Sequence, residues 1–174
     1  PTESGTLYSK QELTELYAVC QTHNIPLFID GARLGYGLMA KNNDVTFEDI
    51  ANLCDVFYIG GTKVGALFGE CIVILNDLYK KDFRYSIKQH GGMLAKGRML
   101  GIQFEELFKD NRYLTISKHA IDMADILTEG FQSKGYSFFF PAETNQLFPI
   151  FENTKLEELS QEFAFTPWIK IDET

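Results

Sequence analysis

Residues 55–75 read DVFYIGGTKVGALFGECIVIL, two apolar runs joined by a loop of glycine and small residues. A short continuous apolar run is typical of a strand covered on both faces of a sheet. The segment GGTKVGALFG between the runs is too short for a crossover helix, so the two strands should be antiparallel. The loop also carries Lys63, and lysine is seldom fully buried without a partner. A lysine that follows a buried strand in such a loop has either a solvated side chain or a chemical role.

The chain upstream of this stretch alternates helix and strand signals. SKQE, residues 9–12, is a capping box followed by apolar residues at helical spacing. Alternation of helices with apolar strands indicates an α/β domain whose sheet is mainly parallel, with one antiparallel strand at 70–75. The predicted order is helix 10–23, strand 25–30, glycine-rich loop 31–37, capped short helix 46–54, strand 55–60 and strand 70–75.

Downstream of residue 79 the pattern changes to long helices and then to short mixed elements. Residues 92–109 and 112–134 are predicted to be helical. We therefore divide the chain into 1–134, part of a large α/β domain, and 135–174, part of a small α+β domain. The small domain is predicted to contain strands at FFFP, QLFPIF and TPWIKI and a helix at KLEELSQEF.

Composition excludes several classes of function. The 174 residues include 45% hydrophobic and 14% aromatic residues, which is typical of a globular domain rather than a disordered one. A net charge of -8 without a basic stripe argues against nucleic-acid binding, and the apolar runs are too short for a membrane span. The three cysteines are isolated, which predicts free thiols of a cytoplasmic protein rather than a disulfide framework or a metal site.

Ionisable side chains follow two of the predicted parallel strands. Asp30 ends IPLFID, Arg33 comes three residues later, and Lys63 comes three residues after DVFYIG. Ligands of parallel α/β sheets bind at the carboxyl ends of the strands, so these side chains should meet at one edge. A lysine amine and a carboxylate are what pyridoxal phosphate requires, for covalent attachment and for its pyridinium nitrogen respectively.

The neighbouring residues suit the same cofactor, although each residue also has a simpler interpretation. The backbone amides of Gly60, Gly61 and Thr62 could face a phosphate group, and so could the Thr62 hydroxyl. Taken alone, Asp30 could be a turn former or helix cap, and Lys63 could be a solvated loop residue. Their joint placement at consecutive strand ends is what favours a cofactor site.

DGARLGYGL and DVFYIGGTKVGALFGE resemble the threonine aldolase and β-eliminating lyase family of fold-type-I pyridoxal-phosphate enzymes. The resemblance extends through LYSKQELTEL, KQHGGMLAKGRMLGIQFEELF and TNQLFPIF, nearly the whole chain. It implies that Lys63 is the Schiff-base lysine, that Asp30 pairs with the pyridinium nitrogen, and that Arg33 contacts the substrate carboxylate. It also implies a large, mainly parallel α/β domain with one antiparallel strand, which binds pyridoxal phosphate, and a small α+β C-terminal domain.

The function implied by this resemblance is a lyase that splits a β-hydroxy amino acid such as threonine into glycine and acetaldehyde. The alternatives are another β-eliminating lyase, an aminotransferase-like enzyme, or a non-catalytic remnant that acts as an interaction module. The family also implies a homodimer or homotetramer acting on a small amino acid. The apolar segment 90–110 is a candidate for the interface between subunits.

Two departures from the family pattern affect how the roles of family residues are assigned to this chain. Where many members carry a glycine-rich segment ending in a phosphate-binding arginine, this chain has HGGML, with Leu94 at the arginine position. Lys96 or Arg98 could substitute, or they could be solvated charges, and His90 is interpreted as a hydrogen-bonding loop residue. The N-terminal strands, the phosphate-binding turn and the stacking aromatic ring of the family have no counterpart in this sequence. We therefore expect a C-terminal part of an enzyme, inactive on its own.

Overall fold

A computed structural model describes residues 1–172, and its centre is a three-stranded sheet. The strands are β1 (Phe28–Ile29), β2 (Val56–Gly60) and β3 (Glu70–Ile74), in the order β1-β2-β3. β1 is parallel to β2, and β2 is antiparallel to β3, so the predicted mixed arrangement of these strands is confirmed.

The first strand is shorter than the predicted run 25–30. Pro26 has no amide hydrogen to give to a ladder, and the Leu27 amide donates instead to the Asp55 side chain at 2.9 Å. The Leu27 carbonyl accepts the amides of Asp55 and Val56. Regular pairing therefore begins only at Phe28.

Seven α-helices accompany the sheet in residues 1–172. Two of them begin at the predicted caps, the capping box of Ser9 with Glu12 and the cap at Thr46, so these two starts are confirmed. The structure shows that Thr46 also forms a capping box, with Asp49. None of the described helices is both long and apolar enough to cross a membrane. In chain order they are α1 (Lys10–Thr22), α2 (Leu34–Met39), α3 (Phe47–Asn52), α4 (Phe83–Gln89), α5 (Arg98–Phe108), α6 (Arg112–Ser133) and α7 (Asn153–Leu159).

The prediction of a loop over residues 31–37 was wrong, because α2 begins at Leu34. Glycine weakens an isolated helix, but here close packing of α2 on α6 decides the conformation. A Cβ atom on Gly35 would lie 2.2 Å from the Ser117 Oγ and 2.8 Å from the Tyr113 Cε1. The glycine that argues against a helix in the sequence is therefore the residue that lets this helix approach its neighbour.

The helix predicted over residues 92–109 begins later than expected, at Arg98, and α4 was not predicted. α4 follows Asp82, which has a φ of 58° and makes no side-chain capping hydrogen bond. The usual start signal is therefore absent from α4. Its apolar residues Phe83, Tyr85 and Ile87 recur at alternate positions, a spacing more typical of a strand.

The core lies between the sheet, α2 and α6. On β2, Phe57 and Ile59 are buried, while α6 contributes Tyr113, 1% exposed, and Ile121, 2% exposed. The opposite face of the sheet is open in the described residues, where Phe28 is 54% exposed. One side of the sheet is therefore a packed interior, and the other carries the side chains considered below.

The C-terminal segment departs most from the sequence-based expectation. QLFPIF and FFFP form only an isolated antiparallel bridge, between Phe138 and Pro149, and TPWIKI forms no strand. A strand needs a neighbour for its backbone groups, and residues 161–172 are exposed along their whole length. The predicted helix is present as α7. The division of the chain between residues 134 and 135 remains a prediction. The last two residues of the predicted small domain, 173–174, lie outside the described residues.

Candidate active site

Asp30 follows β1 at the carboxyl end of the parallel pair. Its Oδ1 accepts a hydrogen bond from the Tyr58 hydroxyl at 2.5 Å and another from the Ala32 amide at 2.9 Å. These two bonds are the main reason that the Asp30 pKa is lowered from its ordinary value. The carboxylate is therefore ionised at neutral pH.

Lys63 and Arg33 lie close enough to Asp30 for their charges to act on it. Both positive charges lower the pKa of the Asp30 carboxyl further. Lys63 comes from the loop after β2, and Arg33 immediately precedes α2. The structure thus brings the charges of all three sequence-predicted side chains to the same edge of the sheet, as the strand-end rule requires.

The backbone around Lys63 is held by hydrogen bonds. The Lys63 carbonyl accepts from the Tyr36 hydroxyl, and the amides of Val64 and Ala66 both donate to the Gly61 carbonyl, at 2.9 and 3.0 Å. Val64 is 0% exposed, while the Lys63 side chain next to it is exposed. The loop is therefore anchored on its inner side and presents the lysine on its outer side.

The residues expected to contact a phosphate are partly engaged within the protein. The Gly60 amide donates to the Gly31 carbonyl at 2.9 Å, and the Gly61 amide donates to the Glu70 Oε2 at 2.5 Å. The Thr62 hydroxyl lies 3.3 Å from the other Glu70 oxygen. The hydroxyl, held by the longest of these bonds, is the group among them most readily redirected to a ligand. Phosphate binding by these residues remains a prediction.

Arg33 is half-buried, and its guanidinium has no hydrogen-bond partner among residues 1–172. A planar guanidinium of this kind can bind a carboxylate through two parallel hydrogen bonds. Its position beside the ionised Asp30 gives that carboxylate a second cationic neighbour in addition to Lys63.

Lys96, Arg98 and His90 take no part in this cluster of charges. Lys96 and Arg98 are exposed. The His90 Nδ1 donates to the Ser86 carbonyl at 2.8 Å at the end of α4, which agrees with its interpretation as a hydrogen-bonding residue. Two surface cavities, of about 480 and 1350 Å³, lie along residues 128–172 and do not include the Asp30 edge. Asp30 and Lys63 are both exposed, so the candidate site is open to solvent in the part of the chain that is described.

Tyr58 and Glu70 contact the candidate residues but were not identified from the sequence. Tyr58 could have been found by continuing the parallel pairing of IPLFID with DVFYIG, which sets it beside Asp30. Glu70 is the first residue of β3, and this strand was predicted from its apolar residues alone, so the charged residue was not considered.

Comparison with known proteins agrees with this architecture. A protein-family model for beta-eliminating lyases matches residues 2–154. The curated low-specificity L-threonine aldolase of Pseudomonas aeruginosa is 31% identical over 159 residues, which cover 91% of this chain and 46% of that protein. The corresponding enzyme of a Pseudomonas species is 32% identical over 162 residues, with the same coverage. The chain therefore spans about half the length of these curated relatives.

Solved structures give the same result. The Leishmania major threonine aldolase superimposes with a TM-score of 0.96 at 47% identity, covering 99% of this chain and 50% of that one. An Exiguobacterium protein matches with a TM-score of 0.62 at 24% identity, over 82% of this chain and 39% of its own, which shows a shared fold. Since the family model covers most of the sequence, this chain belongs to the beta-eliminating lyase family.

Proposed function

We propose that these residues are part of a pyridoxal-phosphate-dependent lyase that cleaves the Cα–Cβ bond of a β-hydroxy amino acid. Threonine, giving glycine and acetaldehyde, is the proposed substrate. The observation that carries the proposal is the Asp30 carboxylate at the sheet edge, on which the charges of both Lys63 and Arg33 act. The relatives named above are L-threonine aldolases, which supports the choice of reaction.

The side chains at this edge fit the cofactor. Lys63 offers an exposed amine for covalent attachment, and Asp30 offers a carboxylate that can accept a hydrogen bond from the protonated pyridine nitrogen. When bound, pyridoxal phosphate supplies an electron-withdrawing ring that accepts the electron pair released as the Cα–Cβ bond breaks. By keeping its negative charge, Asp30 maintains the ring nitrogen in its protonated, electron-withdrawing form.

Arg33 orients the substrate in this proposal. Its guanidinium would bind the carboxylate of the amino acid through paired hydrogen bonds and hold the reacting carbon against the cofactor. Thr62, with Gly60 and Gly61, would lie against the cofactor from the lysine side. Both glycine amides already donate within the protein, which leaves Thr62 as the most available donor of the three residues.

The same side chains would serve β-elimination or transamination, because they bind the cofactor and the substrate carboxylate rather than the bond that breaks. Aldehyde release from threonine separates the proposed aldolase from these alternatives and from a non-catalytic protein. We further propose a homodimer or homotetramer in the cytoplasm. Its interface would cover Leu94, Met99 and Ile102, which are 52%, 51% and 47% exposed.

Lys63→Ala in the full-length protein tests the proposed function. Alanine cannot form the covalent link, and the exposed side chain makes no packing contribution that the fold would lose. We expect normal circular dichroism, loss of the borohydride-sensitive visible absorption of bound pyridoxal phosphate, and aldehyde release reduced to background. Lys96→Ala removes an exposed lysine outside this cluster of charges, so it should keep aldehyde release and at most weaken cofactor affinity. A folded Lys63→Ala variant with substantial aldolase activity would contradict the proposal.

A further inference from the structure

The hydrogen bonds to Asp30 are distributed unevenly between its two oxygens. Both the Tyr58 hydroxyl and the Ala32 amide donate to Oδ1. Among residues 1–172, no donor reaches Oδ2. One oxygen is therefore held by the protein, and the other is left as an open acceptor.

The position of the Tyr58 hydroxyl is determined by the sheet. Phe28 pairs with Val56 and Ile29 with Phe57, so the next step of the same register sets Asp30 beside Tyr58. The Tyr58 ring also packs against Phe28, with ring centroids 6.0 Å apart. Backbone pairing and ring packing thus bring the hydroxyl to the carboxylate without a flexible segment between them.

The proton in this hydrogen bond belongs to the phenol. Burial and the neighbouring Asp30 raise the pKa of Tyr58 to about 12, while Asp30 is acidic. Tyr58 is therefore a donor, and Asp30 an acceptor, throughout the physiological pH range. A charge-assisted bond of this kind is shorter and stronger than one between neutral groups.

We propose that Tyr58 is a positioning residue, which fixes Oδ1 so that Oδ2 faces the ring N–H of pyridoxal phosphate. The inference rests on the proposed function, since it concerns the cofactor of that same site. Without the hydroxyl, only the Ala32 amide would restrain Oδ1, and the carboxylate could turn about its Cβ–Cγ bond. A carboxylate that must be ordered on binding gives a weaker complex than one already held in place.

The test compares Tyr58→Phe with wild type in the full-length protein, by equilibrium binding of two ligands. The first is pyridoxal phosphate, and the second is an analogue whose ring nitrogen is replaced by C–H. Losing one hydrogen bond to a charged group should weaken pyridoxal phosphate binding about tenfold. The analogue offers Oδ2 no N–H, so its affinity should change by less than about twofold. Covalent attachment through Lys63 contributes equally to both ligands and cancels in the comparison.

Tyr85→Phe is the matched control, because Tyr85 is 74% exposed on α4 and its hydroxyl makes no hydrogen bond to Asp30 in the described residues; this variant should bind both ligands as wild type does. Circular dichroism confirms that each variant is folded. Equal weakening of both ligands by Tyr58→Phe, or no weakening of either, would overturn the positioning role while leaving the proposed function intact. If the wild-type protein fails to bind pyridoxal phosphate, the proposed function falls, and this inference falls with it.

Discussion

Replacing Tyr113 by phenylalanine should destabilise the protein through two buried hydrogen bonds. The Tyr113 hydroxyl donates to the Gly60 carbonyl at 3.0 Å and accepts from the Gly35 amide at 3.1 Å. All three residues are buried, and Tyr113 is 1% exposed. Phenylalanine keeps the ring but leaves a buried amide without a partner, which costs about 1–3 kcal/mol, and loses a second bond worth about 0.5–1.5 kcal/mol. We expect a loss of about 2–4 kcal/mol in the free energy of unfolding.

Urea unfolding of the full-length protein measures this loss as a lower midpoint at an unchanged slope. Tyr85→Phe removes the same hydroxyl from an exposed ring and should change stability by no more than about 0.5 kcal/mol. If Tyr113→Phe and Tyr85→Phe unfold at the same urea concentration, water or another group satisfies the Gly35 amide, and the reasoning is wrong. Because the Tyr113 hydroxyl also holds Gly60, just before the lysine loop, the variant should show weaker cofactor binding as well.

Two further changes test the packing of α2 and the charges that join α1 to α3. Gly35→Ala should lower the free energy of unfolding by about 1–3 kcal/mol, because the added Cβ would overlap buried atoms of α6. Gly101→Ala, at an open helix position, should raise it by up to about 1 kcal/mol. Equal urea midpoints for the two variants would contradict this. The Asp49 pKa is lowered to about 2, first by its hydrogen bond to Lys10, so its stabilising contribution is complete above about pH 4 and is lost as the pH falls towards 2. The stability of Asp49→Asn should therefore depend less on pH than that of wild type in this window, and curves of equal slope would count against the assignment.

The elements that were predicted correctly are those whose signals are local. The strands β2 and β3 are continuous apolar runs, and the length of the segment between them determines their antiparallel pairing. The helices α1 and α3 begin at capping boxes, in which a hydroxyl and an acid three residues later satisfy each other's backbone amides. The convergence of Asp30 and Lys63 followed from the same local information, because parallel neighbours end at the same edge of the sheet.

The elements that were missed depend on residues far away in the chain. Gly35 disfavours a helix when only the local sequence is considered. Its helix is stabilised by packing against α6, where the Tyr113 hydroxyl, 78 positions later, accepts a hydrogen bond from its amide. TPWIKI has a strand composition, but strand formation needs a partner, and none lies beside it in the described residues. Tyr58 was overlooked because its partner depends on the strand register rather than on its own sequence neighbours. In these three cases the presence or absence of a tertiary contact decided the structure, and local preference did not.

The glycine-rich loop that carries Lys63 is rigid for a physical reason that its composition conceals. A Cβ atom on Gly61 would lie 2.7 Å from the Phe104 ring and 3.0 Å from the Ala66 Cβ, so this glycine serves close packing rather than mobility. Its amide is held by Glu70, and its carbonyl accepts two amides from within the loop. Since the inner residue Val64 is fully buried, the loop cannot turn without exposing it. Covalent attachment of a cofactor requires the attacking amine at a defined place, because ordering it at the moment of reaction would cost conformational entropy. The close packing of the loop removes the backbone part of that cost in advance, while its outer side leaves the Lys63 amine accessible.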